Sequence, residues 1–438
     1  MGIFSRISKN NSILNMLWLS GDSILRMGLG FVLNVWLARY MGPEKFGIFN
    51  YAMAMIAIYV SVASLGMNGV VVRELVRDPQ SSDKIMGTSF LLQVCGSLLA
   101  SLLVVLSTMM LRPGEWDILL ITLVMVPSIL FRSSDIIKYW FESIISAKYT
   151  VIAQNVAFLT SAGVKMLIML MGGSYVAIAA TVSLEALIVA VLLVYLYRSR
   201  TKDYSWSVDR HEIGRLLSQS WPLIISGLAL MLYMRVDQIM IGNMINNTAV
   251  GIYSVAVKMT EVWYFFPVAI VSSLFPKIIK EKEISEENYN KKMQFLYDLM
   301  VTAGVGLAIV VTLLSDYIIG WFYGAQYTEA SRLIKIYAWV SVFYFLSSAS
   351  GRWYINEGLQ KYALNRNVLG LAMGILLNYL LIPVYGAEGS AYATLIAYGC
   401  AAYAFDLLSA KTRIAFWQKT RALWIPGAIL RMKNTLSR

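Results

Sequence analysis

The chain has 438 residues, 58% hydrophobic and only 14% charged, with a mean hydropathy of +0.63. A soluble domain carries roughly 25% charged residues, so water is not the main solvent of this chain. The net charge of +12 does not indicate nucleic acid, because the bases lie in alternate connections between apolar stretches and share no single solvated face.

Residues 1–11 are short and basic, and the apolar run behind them contains Asp22 and Arg26 and lacks a small-residue cleavage site. That pattern predicts a first membrane helix in place of a removed leader. Apolar windows near the ~20 residues that cross a bilayer core then recur along the chain. They predict about twelve transmembrane helices, at 13–38, 46–66, 85–111, 117–139, 150–171, 175–197, 219–242, 250–273, 295–320, 331–351, 363–384 and 388–408. Gly42-Pro43-Glu44, Arg112-Pro113-Gly114, Gly172-Gly173-Ser174, Asn246-Asn247-Thr248 and Gly386-Ala387-Glu388-Gly389 punctuate them as short connections. Pro127, Pro222 and Pro267 lie in or beside spans, where they permit kinks.

The N-terminus, every second connection and the tail hold 27 Lys plus Arg, against 3 in the opposite loops. Both termini are therefore expected in the cytoplasm. The tail alternates bases with Phe416, Trp417, Trp424 and Ile425 and reads as a short interfacial helix. A repeat is visible at an offset of 204: residues 39–52 align with 243–256, Gly47 falling on Gly251. An even number of helices separates the copies, so the fold class is all-α integral membrane, two six-helix lobes related by a parallel repeat. The expected organisation is an N-terminal lobe at 1–197, a cytoplasmic linker at 198–218, a C-terminal lobe at 219–408 and a basic tail at 409–438.

Charges within spans are costly, by ~2.5 to 3.5 kcal/mol each at a helix centre, and normally face a bundle interior or a watery cavity. Ten occur here: Asp22, Arg26, Arg132, Asp135, Lys165, Glu185, Arg235, Asp237, Lys258 and Glu261. Asp22 with Arg26, Arg132 with Asp135 and Lys258 with Glu261 stand four or three residues apart, so each pair is able to neutralise itself on one helix face. The bases Arg26, Arg132, Lys165, Arg235 and Lys258 are candidates for binding an anionic substrate. The acids Asp22, Asp135, Glu185, Asp237 and Glu261 are candidates for charge pairing or ion coupling, Glu185 above all as a carboxylate without an evident partner. Aromatics such as Tyr253, Tyr264 and Tyr344 read mostly as belt or packing residues.

The single histidine, His211, lies in a polar loop, and Cys95 and Cys400 lie in apolar stretches as small core residues. Metal sites of the Cys and His types, Ser-His-Asp catalysis and a disulfide framework lack their raw material. No P-loop motif occurs. No cofactor is expected, and a proton or sodium gradient is the expected energy source.

Residues 37–51, 237–242, 251–261 and above all 378–394, Asn-Tyr-Leu-Leu-Ile-Pro-Val-Tyr-Gly-Ala-Glu-Gly-Ser-Ala-Tyr-Ala-Thr, resemble the polysaccharide transport family. It contains the Wzx-type O-antigen flippases of the multidrug and oligosaccharidyl-lipid exporter superfamily. The resemblance implies a multi-pass protein of the bacterial inner membrane that moves a polyprenyl-diphosphate-linked oligosaccharide, such as an O-antigen unit of lipopolysaccharide, from the cytoplasmic to the periplasmic leaflet. It also implies membrane lipids and other polysaccharide assembly proteins as partners. Two other functions stay open: a multidrug or cation antiporter of the same superfamily, and a membrane glycosyltransferase or polymerase. Five bases among the ten intramembrane charges favour an anionic substrate over a drug cation, and external loops of about a dozen residues or fewer leave little room for a catalytic domain.

Overall fold

The computed structural model describes residues 2–201 and 205–436, with side chains from Arg26 onward and up to Thr435. The side chain of Asp22 lies outside the described residues. Every regular element among them is helical.

In chain order the helices are α1 (Gly2–Ala63), α2 (Met67–Arg77), α3 (Ser82–Leu111), α4 (Trp116–Met125), α5 (Pro127–Phe131), α6 (Asp135–Ser143), α7 (Ala147–Leu170) and α8 (Tyr175–Arg200). They continue as α9 (Arg210–Met244), α10 (Asn247–Glu261), α11 (Phe265–Ile284), α12 (Glu286–Phe322), α13 (Ala330–Asn356), α14 (Gln360–Ala402), α15 (Arg413–Leu423) and α16 (Ile425–Leu436). Among the described residues ten stretches are long and apolar enough to cross a membrane, and two of them, Arg26–Arg77 and Gln360–Leu408, have 52 and 49 residues. A straight helix of that length would run about 75 Å, more than twice the bilayer core, so each contains two crossings. Glycine makes both reversals: Gly42 (φ 71°) is followed by Pro43, and Gly386 has φ 60°. Glycine, without a Cβ, adopts positive φ about as readily as negative. The chain thus has about twelve transmembrane helices.

The expected span at 117–139 is broken. Pro127 opens α5, and a 3-10 turn, Arg132–Ser134, separates α5 from α6. A second 3-10 turn, Val262–Tyr264, separates α10 from α11 just before Pro267. Cys95, read as a core residue, stands exposed on the outside of α3, and Cys400 is half-buried. Large apolar side chains are likewise exposed in each part of the chain, Leu102, Met110, Leu170 and Val191 among residues 48–235 and Leu313, Trp321 and Val384 among residues 236–438, and on helices of this length their natural solvent is lipid.

The chain divides into two compact units, one of residues 1–41 and 48–235, the other of 42–47 and 236–438. The cut falls inside α9, whereas the sequence boundaries at 198 and 218 follow charge and hydropathy. Packing explains the difference. The first half of α9 belongs with the first unit, where Leu216 and Ser220 are fully buried, Arg215 pairs with the buried Glu74, and Leu223 packs directly against Gly66. The core of this unit gathers Met67, Val71, Met86, Ile136, Phe141 and Leu193 from α2, α3, α6 and α8.

In the second unit α12, α13 and α14 pack side by side with α10 and α11, and α15 and α16 lie on α12. The tail, expected to rest at the interface, is therefore also bound to the protein: Ala415, Gln418, Lys419 and Ala422 are buried, a spacing that forms one helix face. Residues 42–47 belong to this unit, and there Gly47 meets Gly251, its mate in the 204-residue repeat. A Cβ on Gly47 would stand 1.7 Å from the Asn247 carbonyl oxygen, and one on Gly251 would stand 2.0 Å from that of Pro43. Both obstacles are backbone. Gly47→Ala and Gly251→Ala are each expected to cost about 3 kcal/mol, the upper end for overpacking, and to lower the melting temperature in detergent. Gly306→Ala, which meets nothing within 4 Å, is the matched control. Equal melting temperatures for all three variants would show that the close approach is dispensable.

Candidate functional site

The break in the fourth span builds a cavity. Pro127 lacks an N–H, and the 3-10 turn that follows interrupts the α-helical ladder. Serines return hydrogen bonds locally: Ser128 donates to the Met125 carbonyl (2.6 Å), Ser133 to Leu130 (2.9 Å) and Ser134 to Phe131 (2.8 Å), while Ser183 of α8 donates to Val124 (2.7 Å). Satisfying these carbonyls from within the protein lets irregular backbone persist at membrane depth. Arg132, which opens this turn, and Asp135, which follows it, are thereby placed on the wall of a cavity of about 570 Å3 inside the first unit.

Five of the ten candidate charges line that cavity: Arg26, Arg132, Asp135, Lys165 and Glu185. Arg26 lies over the Phe158 ring, 5.5 Å from its centroid, a cation–π contact. Lys165 of α7 and Glu185 of α8 approach to 4.0 Å. This corrects the reading of Glu185 as a carboxylate without a partner, since the neighbouring helix supplies one. Arg132 and Asp135 share the wall without closing the expected pair. Phe49 and Phe131 give the cavity apolar faces, and Asn34 and Gln154 add amides. The Asn34 Oδ1 is buried and accepts no hydrogen bond among the described residues. Three cations, two carboxylates, amide groups and flat apolar rings together suit a ligand that is anionic at one place and hydroxyl-rich at another.

The other described candidates, Arg235, Asp237, Lys258 and Glu261, do not line this cavity. Arg235 is the last residue of the first unit and is not among the cavity-lining residues. Lys258 pairs with Glu261 at 3.3 Å as its spacing predicts, beside the stacked rings of Tyr264 and Tyr344, whose centroids are 3.7 Å apart. Asp237 is buried in the second unit. Its Oδ2 accepts hydrogen bonds from the Tyr253 hydroxyl (2.5 Å) and the Tyr337 hydroxyl (3.3 Å), and its Oδ1 from the Gln238 backbone N–H (2.8 Å). The two phenol oxygens are 3.0 Å apart, and the Thr394 hydroxyl lies 3.4 Å from that of Tyr253.

Tyr253, Tyr337 and Thr394 were not singled out as site residues from the sequence, where Tyr253 reads as a packing aromatic. A signal existed, since Thr394 ends the 378–394 stretch that carries the family resemblance. Asn378 begins that stretch; it is buried, donates to the Gly374 carbonyl (2.8 Å), and its Oδ1 has no partner among the described residues.

Residues 12–282 match the family described as "Polysaccharide biosynthesis protein", and residues 222–380 match the MatE family. The probable low-salt glycan biosynthesis flippase Agl15 of Haloferax volcanii is 21% identical over 387 residues, which is 86% of this chain and 79% of that protein. Among solved structures, the lipid II flippase MurJ in an inward closed conformation aligns with a TM-score of 0.72 at 16% identity, over 96% of both chains. An inward-facing multidrug resistance MATE family transporter of the MOP superfamily aligns with a TM-score of 0.62 at 12% identity, over 94% of this chain and 99% of that one. At such identities the structural likeness is one of fold.

Proposed function

Because the chain belongs to the polysaccharide biosynthesis protein family, we propose that it is a flippase, a transporter and not an enzyme, for a polyprenyl-diphosphate-linked oligosaccharide. In this reading it carries O-antigen or related repeat units from the cytoplasmic to the periplasmic leaflet of a bacterial inner membrane, both of its termini being cytoplasmic. The observation that supports it most is the cavity of the first unit, where Arg26, Arg132 and Lys165 outnumber Asp135 and Glu185. A diphosphate needs cationic donors in a poorly hydrated place, and guanidinium forks match phosphate oxygens in pairs. The phenylalanine faces offer stacking surface to the C–H side of sugar rings. A drug-cation antiporter, the other reading the fold admits, calls for an acidic cavity, and the excess of bases speaks against it.

Transport against a gradient needs an energy source, and we assign coupling to Asp237. A buried carboxylate bonded by the hydroxyls of Tyr253 and Tyr337, with the Thr394 hydroxyl beyond Tyr253, presents oxygen ligands to a proton or a sodium ion, and its charge state responds to which is bound. Reconstitution in liposomes tests both assignments. The protein should move a lipid-linked oligosaccharide between leaflets, and an imposed proton or sodium gradient should accelerate it. Asp237→Asn should remove the response to the gradient. A protein that inserts but moves no lipid-linked glycan would end the flippase reading, whereas an Asp237→Asn variant that still follows the gradient would end only the coupling role.

A further inference from the structure

A second polar cavity, of about 980 Å3, opens in the second unit between the first turns of α12 and the two tail helices. Its wall is a hydrogen-bonded chain. Arg431 of α16 grips the fully buried Asp298 with two bonds of 2.8 Å. Gln294 donates to Asp298 and to the Gln418 carbonyl, both at 2.9 Å, and Gln418 in turn donates to the Asn290 carbonyl at 3.3 Å. The Gln294 Oε1 is buried and has no partner among the described residues. Of the remaining lining charges, Lys291 is paired with Glu287 at 2.6 Å and Glu281 stands on the α11 side, while Lys292 and Arg421 form no ion pair among the described residues.

The tail that closes this cavity holds seven Lys and Arg and no Asp or Glu. Lys419 and Arg431 turn inward onto Asp406 and Asp298, which fixes both tail helices to the unit. Lys411, Arg413, Arg421 and Lys433 face outward. So do large apolar side chains, namely Ile414, Trp417, Trp424, Ile429 and Leu430. Ile414, Trp417, Arg421 and Trp424 follow one another at helical spacing along a single face. A helix that is held by ion pairs to buried carboxylates while it exposes tryptophans among outward-facing cations has the chemistry of a membrane–water boundary.

We propose that this cavity is a binding site for the headgroup of an anionic phospholipid. Lys292 and Arg421 hold the phosphodiester, Asn288 and Thr435 on the cavity lining bond the headgroup hydroxyls, and the Ile414, Trp417 and Trp424 stripe lies in the leaflet beside the acyl chains. A basic pocket beside transmembrane helices attracts acidic lipid through charge, and the apolar stripe next to it separates a lipid from a free phosphate. The inference is independent of what the cavity of the first unit carries.

The full-length protein, purified in a neutral detergent, is titrated with phosphatidylglycerol and with phosphatidylcholine, and bound lipid is counted by native mass spectrometry. The anionic lipid should be retained and should raise the melting temperature, and the zwitterionic one should do neither. Lys292→Ala combined with Arg421→Ala should weaken phosphatidylglycerol binding roughly tenfold or more, since each base near a lipid surface contributes on that scale. Both side chains are exposed, so the lipid-free melting temperature should not change. Equal retention of the two lipids, or unchanged binding by the double variant, would overturn the proposal. Binding of inorganic phosphate as tightly as of phosphatidylglycerol would also overturn it, by making the site one for a free anion.

Discussion

Lys419→Met is expected to lower the stability of the protein by about 3–5 kcal/mol, the cost of leaving one partner of a buried ion pair alone. Lys419 and Asp406 are both wholly buried. The Lys419 Nζ donates to Asp406 Oδ2 and to the Ala402 carbonyl, each at 2.6 Å, and the Tyr354 hydroxyl donates to Asp406 Oδ1. Burial pushes the Lys419 ammonium below its ordinary pKa, with Asp406 opposing that shift. Without the ammonium, the carboxylate keeps its tyrosine but loses its countercharge in a place water does not reach. Arg366, which lies over the Tyr354 ring at 5.2 Å and bonds Ser350, is too far committed to replace it. Adding Asp406→Asn should recover most of the loss, because a neutral pair no longer pays for desolvating a charge. Thermal unfolding in detergent reads all three proteins. A single variant as stable as the parent, or a double variant no better than the single, would mean that the pair does not hold α15 in place.

This pair also marks where sequence reading stops. Hydropathy finds the spans because each must match the bilayer, and the motifs around Gly42 and Gly386 declare turns because glycine there takes a backbone conformation closed to other residues. A lysine in a basic tail carries no such mark. Lys419 lies on the buried face only because α15 presents Ala415, Gln418 and Ala422 to the bundle, and Asp406, thirteen residues away, is brought to it by a short 3-10 stretch, Ala404–Leu408. The pairing of Lys165 with Glu185 depends on how α7 and α8 are rotated against each other, which periodicity along either helix does not encode. The expected Arg132–Asp135 pair assumed continuous α-helix across residues that in fact leave it. Asp237 was readable as an intramembrane carboxylate, but its hydroxyl partners lie 16 and 100 residues away, so their role emerges only from packing.

Lys165→Met is expected to reduce glycan transport below about a tenth of the parent level, the scale of one lost charge-assisted contact to a phosphate. The change alone is ambiguous. Lys165 lies 4.0 Å from Glu185, and its removal leaves that carboxylate uncompensated within the cavity, which harms the protein whether or not Lys165 touches substrate. The second substitution decides: Lys165→Met with Glu185→Gln restores local neutrality and removes the stranded acid. If Lys165 served only to balance Glu185, the double variant would transport normally. If Lys165 is a substrate contact, the double variant accumulates and inserts like the parent yet stays inactive, because neutrality does not return a cation to the diphosphate. Lys165→Arg keeps the charge on a different donor geometry and should retain part of the activity. Surface polysaccharide in cells supplied with each variant, measured beside the amount of protein in the membrane, separates the two cases. Full recovery in the double variant would remove Lys165 from the substrate site and leave that role to Arg26 and Arg132 on the cavity wall.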